Sequence, residues 1–272
     1  MFSVFLQAGL GNQMFQIFTA LAYAFDTGEK LVIPEFKWDA ANRPPYWDTM
    51  FRRLQDSLDK KLQPGSLPRY SEEGFHYKAL QKQAKPMILF GYFQSYKYFD
   101  KHGEQIIKRL NIRMMQETIR AKYLTLRSSI SMHFRIGDYM NIQLHYTLLS
   151  DDYYVKAIRE LITRTKRSDW DIIYFCEDKD NVYVKQRLKK IITHFPDITF
   201  HKCSDELLDW EQMLLMSCSD HNIIANSTFS WWGAYLNSHP NKIVCYPNQW
   251  FGPSNMDKKT MDLFPPSWKR IE

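Results

Sequence analysis

Apolar residues along this chain follow two alternating periods. A short run rich in β-formers, Met1–Gln7, gives way at Gly9 and Gly11 to apolar positions at helical spacing: Met14, Phe15, Ile17, Phe18, Leu21, Ala22 and Phe25. The first pattern predicts a buried strand and the second an amphipathic helix. Asn12 is placed to cap that helix, and Thr27-Gly28 to stop it. Leu31–Pro34 reads as a second strand, so the chain opens as a βαβ unit with a glycine turn after its first strand. Residues 37–85 keep no period and are punctuated by Pro44, Pro45, Pro64 and Pro68. Met87–Tyr92 predicts a further strand, and a polar helix is expected across 103–126.

From Ser128 onward the alternation is regular. Strands are predicted at 128–133, 171–176, 198–201, 221–225 and 243–246, with helices at 151–164, 181–193, 206–217 and 227–237. Strand–helix alternation of this kind predicts an α/β fold, a mostly parallel sheet with helices on both faces. The passage from polar helix to new β run near 124–128 divides the chain into two Rossmann-like halves, 1–125 and 126–272. A ligand is then expected in a cleft between them, at the carboxyl ends of the strands.

Composition narrows the partners. A net charge of +6 suits an anionic ligand: a nucleotide diphosphate, a nucleic acid or a membrane surface. The basic residues are scattered in short clusters, such as Lys60-Lys61 and Lys258-Lys259, and no nucleic-acid-binding module is visible, which argues against nucleic acid. Cys176, Cys203, Cys218 and Cys245 have no CxxC spacing and read as reduced core thiols. There is no basic leader and no run approaching the roughly 20 apolar residues of a membrane span. A soluble, cytoplasmic protein is expected, in which Asn226-Ser227-Thr228 is a functional triplet rather than a glycosylation site.

Polar residues gather where the strands of the second half end. His133-Phe134-Arg135-Ile136-Gly137-Asp138 closes one strand, Glu177-Asp178 the next, and Asn226-Ser227-Thr228-Phe229 joins a third to a helix. Taken singly, each has a plain structural explanation: an Arg135–Asp138 surface turn, acids at a helix start, a Ser-Thr cap. Together they read as a phosphate and base site. A helix N-terminus offers N–H and hydroxyl donors to a phosphate, an arginine adds a planar cationic fork, and an acid can accept the N1–H and N2–H edge of guanine. In the first half, Gly9-Leu10-Gly11-Asn12-Gln13 is neither GxGxxG nor a Walker A loop. Its glycines allow a ligand close to the backbone, beside the amides of Asn12 and Gln13.

These motifs resemble those of the α-1,2-fucosyltransferases, glycosyltransferase family 11. The resemblance rests on Gly9-Leu10-Gly11-Asn12-Gln13-Met14-Phe15-Gln16, on Gly91-Tyr92-Phe93-Gln94-Ser95, and on His133-x-Arg135-x-Gly137-Asp138-Tyr139. It continues through Asp152-Tyr153-Tyr154 and Cys176-Glu177-Asp178 to the long block Ile223–Asn237, in the family's order and over nearly the whole chain. The resemblance implies a GT-B-like fold with an acceptor-side first half and a donor-binding second half. It implies GDP-β-L-fucose as donor, an oligosaccharide acceptor, inversion at the anomeric carbon, and neither metal nor other cofactor. Matched residue by residue, the resemblance implies that Arg135 holds the pyrophosphate, that His133 and Asp178 bind the guanine, and that Ser227, Thr228 and Phe229 wrap the β-phosphate, with Glu177 and Asn226 as further donor-binding residues. Asn12 looks like the asparagine of the family's loop near the fucose or the reacting centre, and Gly11 and Gln13 beside it are expected to bind donor. The family's second arginine is Ile136 here, which removes one cation.

The base that would deprotonate the acceptor is left open among Asp138, Glu177, His145 and no base at all. Arg135, Asp138 and Asn12 are the expected catalytic residues. Two rivals keep the same fold: a transferase using another GDP-deoxysugar, and a catalytically silent carbohydrate- or nucleotide-binding protein.

Overall fold

Ala8 decides where the first helix starts. Its backbone takes φ 62°, a left-handed turn uncommon for residues other than glycine, and Gly9 follows in extended conformation as the N-cap. In the computed structural model, which describes residues 1–35, 45–123 and 128–272, α1 is Leu10–Thr27. Asn12 therefore lies inside the first turn instead of capping it; its own N–H and that of Gln13 donate to Gly9 O at 3.0 and 3.1 Å. Gly28 (φ 70°) ends the helix as expected. Phe15 and Phe18 are fully buried and pack on the Phe99 ring.

Around α1 run β1 (Phe2–Val4), β2 (Ile33–Pro34), β3 (Leu58–Asp59), β4 (Arg69–Ser71) and β5 (Met87–Phe90). They form a parallel sheet in the order β1-β5-β4 and a separate parallel pair, β2-β3. The polar helix expected over 103–126 is two helices, α2 (Gly103–Arg109) and α3 (Ile112–Tyr123), broken where Asn111 takes φ 60°. Asparagine tolerates that conformation better than most residues. Residues 124–127, where the change of half was expected, lie outside the described residues, as do 36–44.

The chain folds as two compact units, Met1–Met115 with Lys258–Pro265, and Gln116–Asp257 with Pro266–Glu272. Gln116 already packs with the second unit: its Nε2 donates to Ser217 Oγ at 2.6 Å and Leu236 O at 3.0 Å. The returning segment serves the first unit through Asp262. Its carbonyl accepts Ser95 Oγ (2.6 Å), its carboxylate accepts Tyr77 N (3.1 Å), and Lys97 pairs with it.

The second unit contains β6 (Ser129–His133), α4 (Asp151–Thr165), β7 (Asp171–Phe175), α5 (Asn181–Ile192), β8 (Thr199–Lys202), α6 (Asp209–Met216), β9 (His221–Ile223), α7 (Thr228–Leu236), β10 (Val244–Pro247) and β11 (Lys269–Ile271). The sheet order is β11-β10-β9-β6-β7-β8, every pair parallel. Ile130, Met132, Ile158, Leu161, Ile172 and Val184 are among the buried side chains of its core. Ile136, at 2% exposure, belongs to the same core, so position 136 here fills apolar space. All four cysteines are buried and unpaired, as expected; burial pushes the thiol of Cys176 up to about 11 and that of Cys245 to about 12. Among the described residues, no helix is long and apolar enough to cross a membrane.

Candidate functional site

The sheet order reverses direction at one place. From β6 the chain steps outward through β7 to β8, then returns to the other side of β6 with β9 and continues to β10 and β11. The carboxyl ends of β6 and β9 therefore flank a topological switch point, where open α/β sheets bind ligands. His133 is the last residue of β6, and Asn226–Phe229 follow β9. The His133 and Phe229 rings lie 5.6 Å apart across this point. Glu177 follows β7 on the other flank of β6. The three polar groups read from the sequence thus stand on neighbouring strand tips.

Arg135 ties them together. Its Nη1 donates to Glu177 and its Nη2 to Asp138, both in close ion pairs. Its guanidinium lies over the Tyr139 ring at 4.9 Å, and the Tyr139 hydroxyl donates to Asn226 O at 3.1 Å. Burial opposes the charge on Glu177, yet Lys179 (2.8 Å) and Arg135 hold its carboxyl below the usual range. Gly137 makes the turn possible: it sits at φ 38°, and a Cβ there would lie 3.2 Å from Glu177 Oε1. Its N–H donates to the buried Asp180 at 2.9 Å.

The remaining predicted residues divide by role. His133 is buried, and its Nδ1 has no hydrogen-bond partner among the described residues. Ser227 caps α7 by accepting Phe229 N at 3.3 Å, with Thr228 and Phe229 half-exposed beside it. Asp178 is exposed and accepts Asn181 Nδ2 at 2.8 Å. The Asn226 side chain is a clasp: fully buried, it donates to Thr147 O (2.8 Å) and Trp250 O (3.0 Å). Its Oδ1 is buried with no hydrogen-bond partner among the described residues. His145 is exposed, and its carbonyl accepts Gly252 N at 2.8 Å. Gly11, Asn12 and Gln13 form a group of their own within the first unit. Gln13 Nε2 donates to Ala8 O (3.0 Å), holding the left-handed turn, and Asn12 Oδ1 accepts Gln94 Nε2 (2.8 Å).

Sequence reasoning gave no role to the tyrosines. Tyr154 on α4 donates to His133 O at 3.0 Å, and Tyr153 donates to Ile224 O at 2.5 Å. They fasten the ends of β6 and β9. Their signal was the Asp152-Tyr153-Tyr154 triplet, but nothing local says where a hydroxyl points. Among the described residues, no group of three or more His, Cys, Asp or Glu side chains is arranged to hold a metal ion.

Two buried histidines make stability depend on pH. Burial lowers His133 to about 3, helped by Arg135, and lowers His221 to about 4. Unfolded imidazoles protonate near 6.5, so the unfolded chain binds more protons below that pH. Stability is whole above about pH 6.5 and falls as the pH drops toward 4, by about 1.4 kcal/mol per unit for each histidine. Imidazole NMR shifts of both residues should stay flat from pH 8 to 5, and denaturant midpoints should fall over that range. A His133 titration near 6.5 would contradict this.

A doubly wound parallel sheet with an arginine and a helix N-terminus at its switch point defines the class: the protein has the GT-B-like fold of nucleotide-sugar glycosyltransferases. Its architecture is similar to ADP-heptose lipopolysaccharide heptosyltransferase II of E. coli, at TM-score 0.51 and 10% identity, covering 99% of this chain and 89% of that one. The chain belongs to glycosyl transferase family 11, whose family model matches residues 1–272. It is 29% identical to the Escherichia coli O-antigen biosynthesis glycosyltransferase WbnK, over 94% of this chain and 97% of the relative. It is 28% identical to an Escherichia coli alpha-1,2-colitosyltransferase (75% and 69%), and 24% identical to a Caenorhabditis elegans galactoside 2-alpha-L-fucosyltransferase (100% and 79%).

Proposed function

We propose that this glycosyltransferase moves L-fucose from GDP-β-L-fucose to O2 of a galactoside in a glycan acceptor, inverting the anomeric carbon. The observation that carries the reading is the switch point itself, where Arg135 stands on one strand tip and the capped N-terminus of α7 on the next. Both favour negative charge, and the leaving β-phosphate gains charge as the glycosidic bond breaks.

Before the donor arrives, Arg135 is held by two carboxylates. Asp138 is the more exposed of them, at 59% of its side chain against 34% for Glu177. A phosphate oxygen takes the place of Asp138 on Nη2, while Glu177 keeps the guanidinium plane in position from Nη1. The Ser227 hydroxyl and the first-turn amides of α7 receive the other phosphate oxygens. His133, neutral at working pH, offers its unpaired Nδ1 to the guanine beside the Phe229 ring, and Asp178 accepts from the base's N–H edge. In this reading the protein's own groups meet the charge on GDP, with no metal and no further cofactor.

The likeness to an alpha-1,2-colitosyltransferase supports one second reading, in which the donor is a different GDP-deoxysugar. A panel of GDP-sugars with galactoside acceptors, run in EDTA and read by mass spectrometry and linkage analysis, separates the two. The expected product is an α-1,2-fucosylated galactoside. Transfer from another GDP-sugar alone would replace the donor, and dependence on added metal would remove the proposed charge balance.

A further inference from the structure

Asn181 links two carboxylates that lie beyond the ends of β7 and β8. It is the first residue of α5, and its side-chain amide is fully used. Its Nδ2 donates to Asp178 Oδ1 and to Asp205 Oδ2, both at 2.8 Å. Its Oδ1 accepts the Cys176 thiol at 3.4 Å. Burial pushes that thiol up to about 11, so the sulfur keeps the proton it donates. The amide is therefore fixed in one orientation. Turned over, it would set a carbonyl oxygen against two carboxylates.

Asp205 is braced in turn from the end of β8. Lys202, the last residue of that strand, donates from Nζ to Asp205 Oδ1 at 2.7 Å and to Cys203 O at 3.0 Å. Burial opposes the charge on Asp205, yet the bonds from Lys202 and Asn181 hold its carboxyl below the ordinary value. The ammonium of Lys202 thus answers the charge of Asp205. Asp178 receives no such cation. Among the described residues its carboxylate is in no ion pair, and its Oδ2 has no hydrogen-bond partner. A neutral donor holds it at one oxygen and leaves its negative charge unspent. Such an anchor fixes direction without neutralising the group, and a charged acceptor makes the stronger bond to a ligand N–H.

We propose that Asn181, braced by Asp205 and Lys202, is a positioning residue that fixes Asp178 for the N1–H and N2–H edge of guanine and so sets the preference for that base over adenine. The inference rests on the reading of Asp178 given above. Adenine presents a lone pair at N1, where guanine carries a proton. A carboxylate held in one direction attracts the proton and repels the lone pair, whereas one free to swing into solvent does neither. A site built to bond a particular donor rejects the analogue that lacks it. Asp178 follows Glu177, the partner of Arg135, and every residue the inference uses belongs to the second unit.

Calorimetry with GDP and with ADP, in the absence of acceptor, tests the assignment. Asn181→Ala is expected to weaken GDP about 10-fold and ADP little, so the preference for GDP falls by that factor. Asp178→Ala should lower it at least as far, and the double variant no further, because both changes remove one interaction. A purely structural loss would weaken both nucleotides alike and leave their ratio where it was, which would overturn the role. If Asn181→Ala does not fold, Asp205→Ala decides in its place. It cuts the brace from outside the turn and should lower the same ratio by at least about 3-fold; an unchanged ratio there overturns the role as well. An unchanged ratio in Asn181→Ala beside a lowered one in Asp178→Ala overturns the positioning and leaves the guanine reading standing. An unchanged ratio in Asp178→Ala removes the guanine reading, and the inference falls with it.

Discussion

Arg135→Ala should lower kcat by about 100- to 1000-fold, the usual effect of deleting one contact to developing charge. The fold should survive it. Arg135 sits on a surface turn after β6, and its partners are partly exposed, so the lost ion pairs contribute only about 0–1 kcal/mol each. Arg135→Lys should fare little better: an ammonium is a point charge and cannot hold Glu177 on one side while offering a planar fork to a phosphate on the other. Single-turnover rates with GDP-fucose, set beside circular dichroism of each variant, check both halves of the expectation. An alanine variant with near-normal turnover would remove Arg135 from the chemistry.

Gly252→Ala should harm both stability and activity although residue 252 touches none of the charged groups. Its Cβ would lie 2.4 Å from Gln143 O and 2.6 Å from Leu144 O. Those atoms are backbone and cannot swing aside, so the 250–255 loop must separate from the 139–147 loop. The bond from Gly252 N to His145 O breaks, and with it the seating of Thr147 and Trp250, the two carbonyls that clasp Asn226. Overpacking of this kind costs about 1–3 kcal/mol. A shift of about 1 Å in a positioning element can cost about 100-fold in rate, and here Tyr139 and Ser227 would move. Thermal melts and kcat/KM measure the two effects. Gly65→Ala, where a new Cβ meets nothing within 4 Å, is the control expected to do neither.

Much of the second unit was readable because its elements keep a clear period. The strands at 129–133 and 171–175 and the helix at 151–165 fall within a residue of their expected bounds. The polar groups at their tips were legible too, and the parallel order places the end of β6, with His133, between the strands that precede Glu177 and Ser227. Elements too short or too charged for a pattern were missed. Arg69–Ser71 is mostly exposed, and Lys269–Ile271 has two basic residues of three, yet both pair in register with longer partners. A helix break at Asn111 depends on one φ angle, and the Asn12 cap was displaced by one turn residue, Ala8. What stayed hidden was long-range: Tyr139 bonds a carbonyl 87 positions away, and Lys97 meets Asp262 across 165. No local pattern encodes such pairs.

The path of the polypeptide also constrains how these enzymes can be recombined. Residues 258–265 pack with the first unit although both flanking stretches belong to the second. A chimera that exchanges the first unit for a relative's must therefore graft two fragments. Splicing at a single crossover would leave Ser95 and Lys97 facing a foreign counterpart of Asp262, and would set a mismatched brace under the loop that carries Gln94.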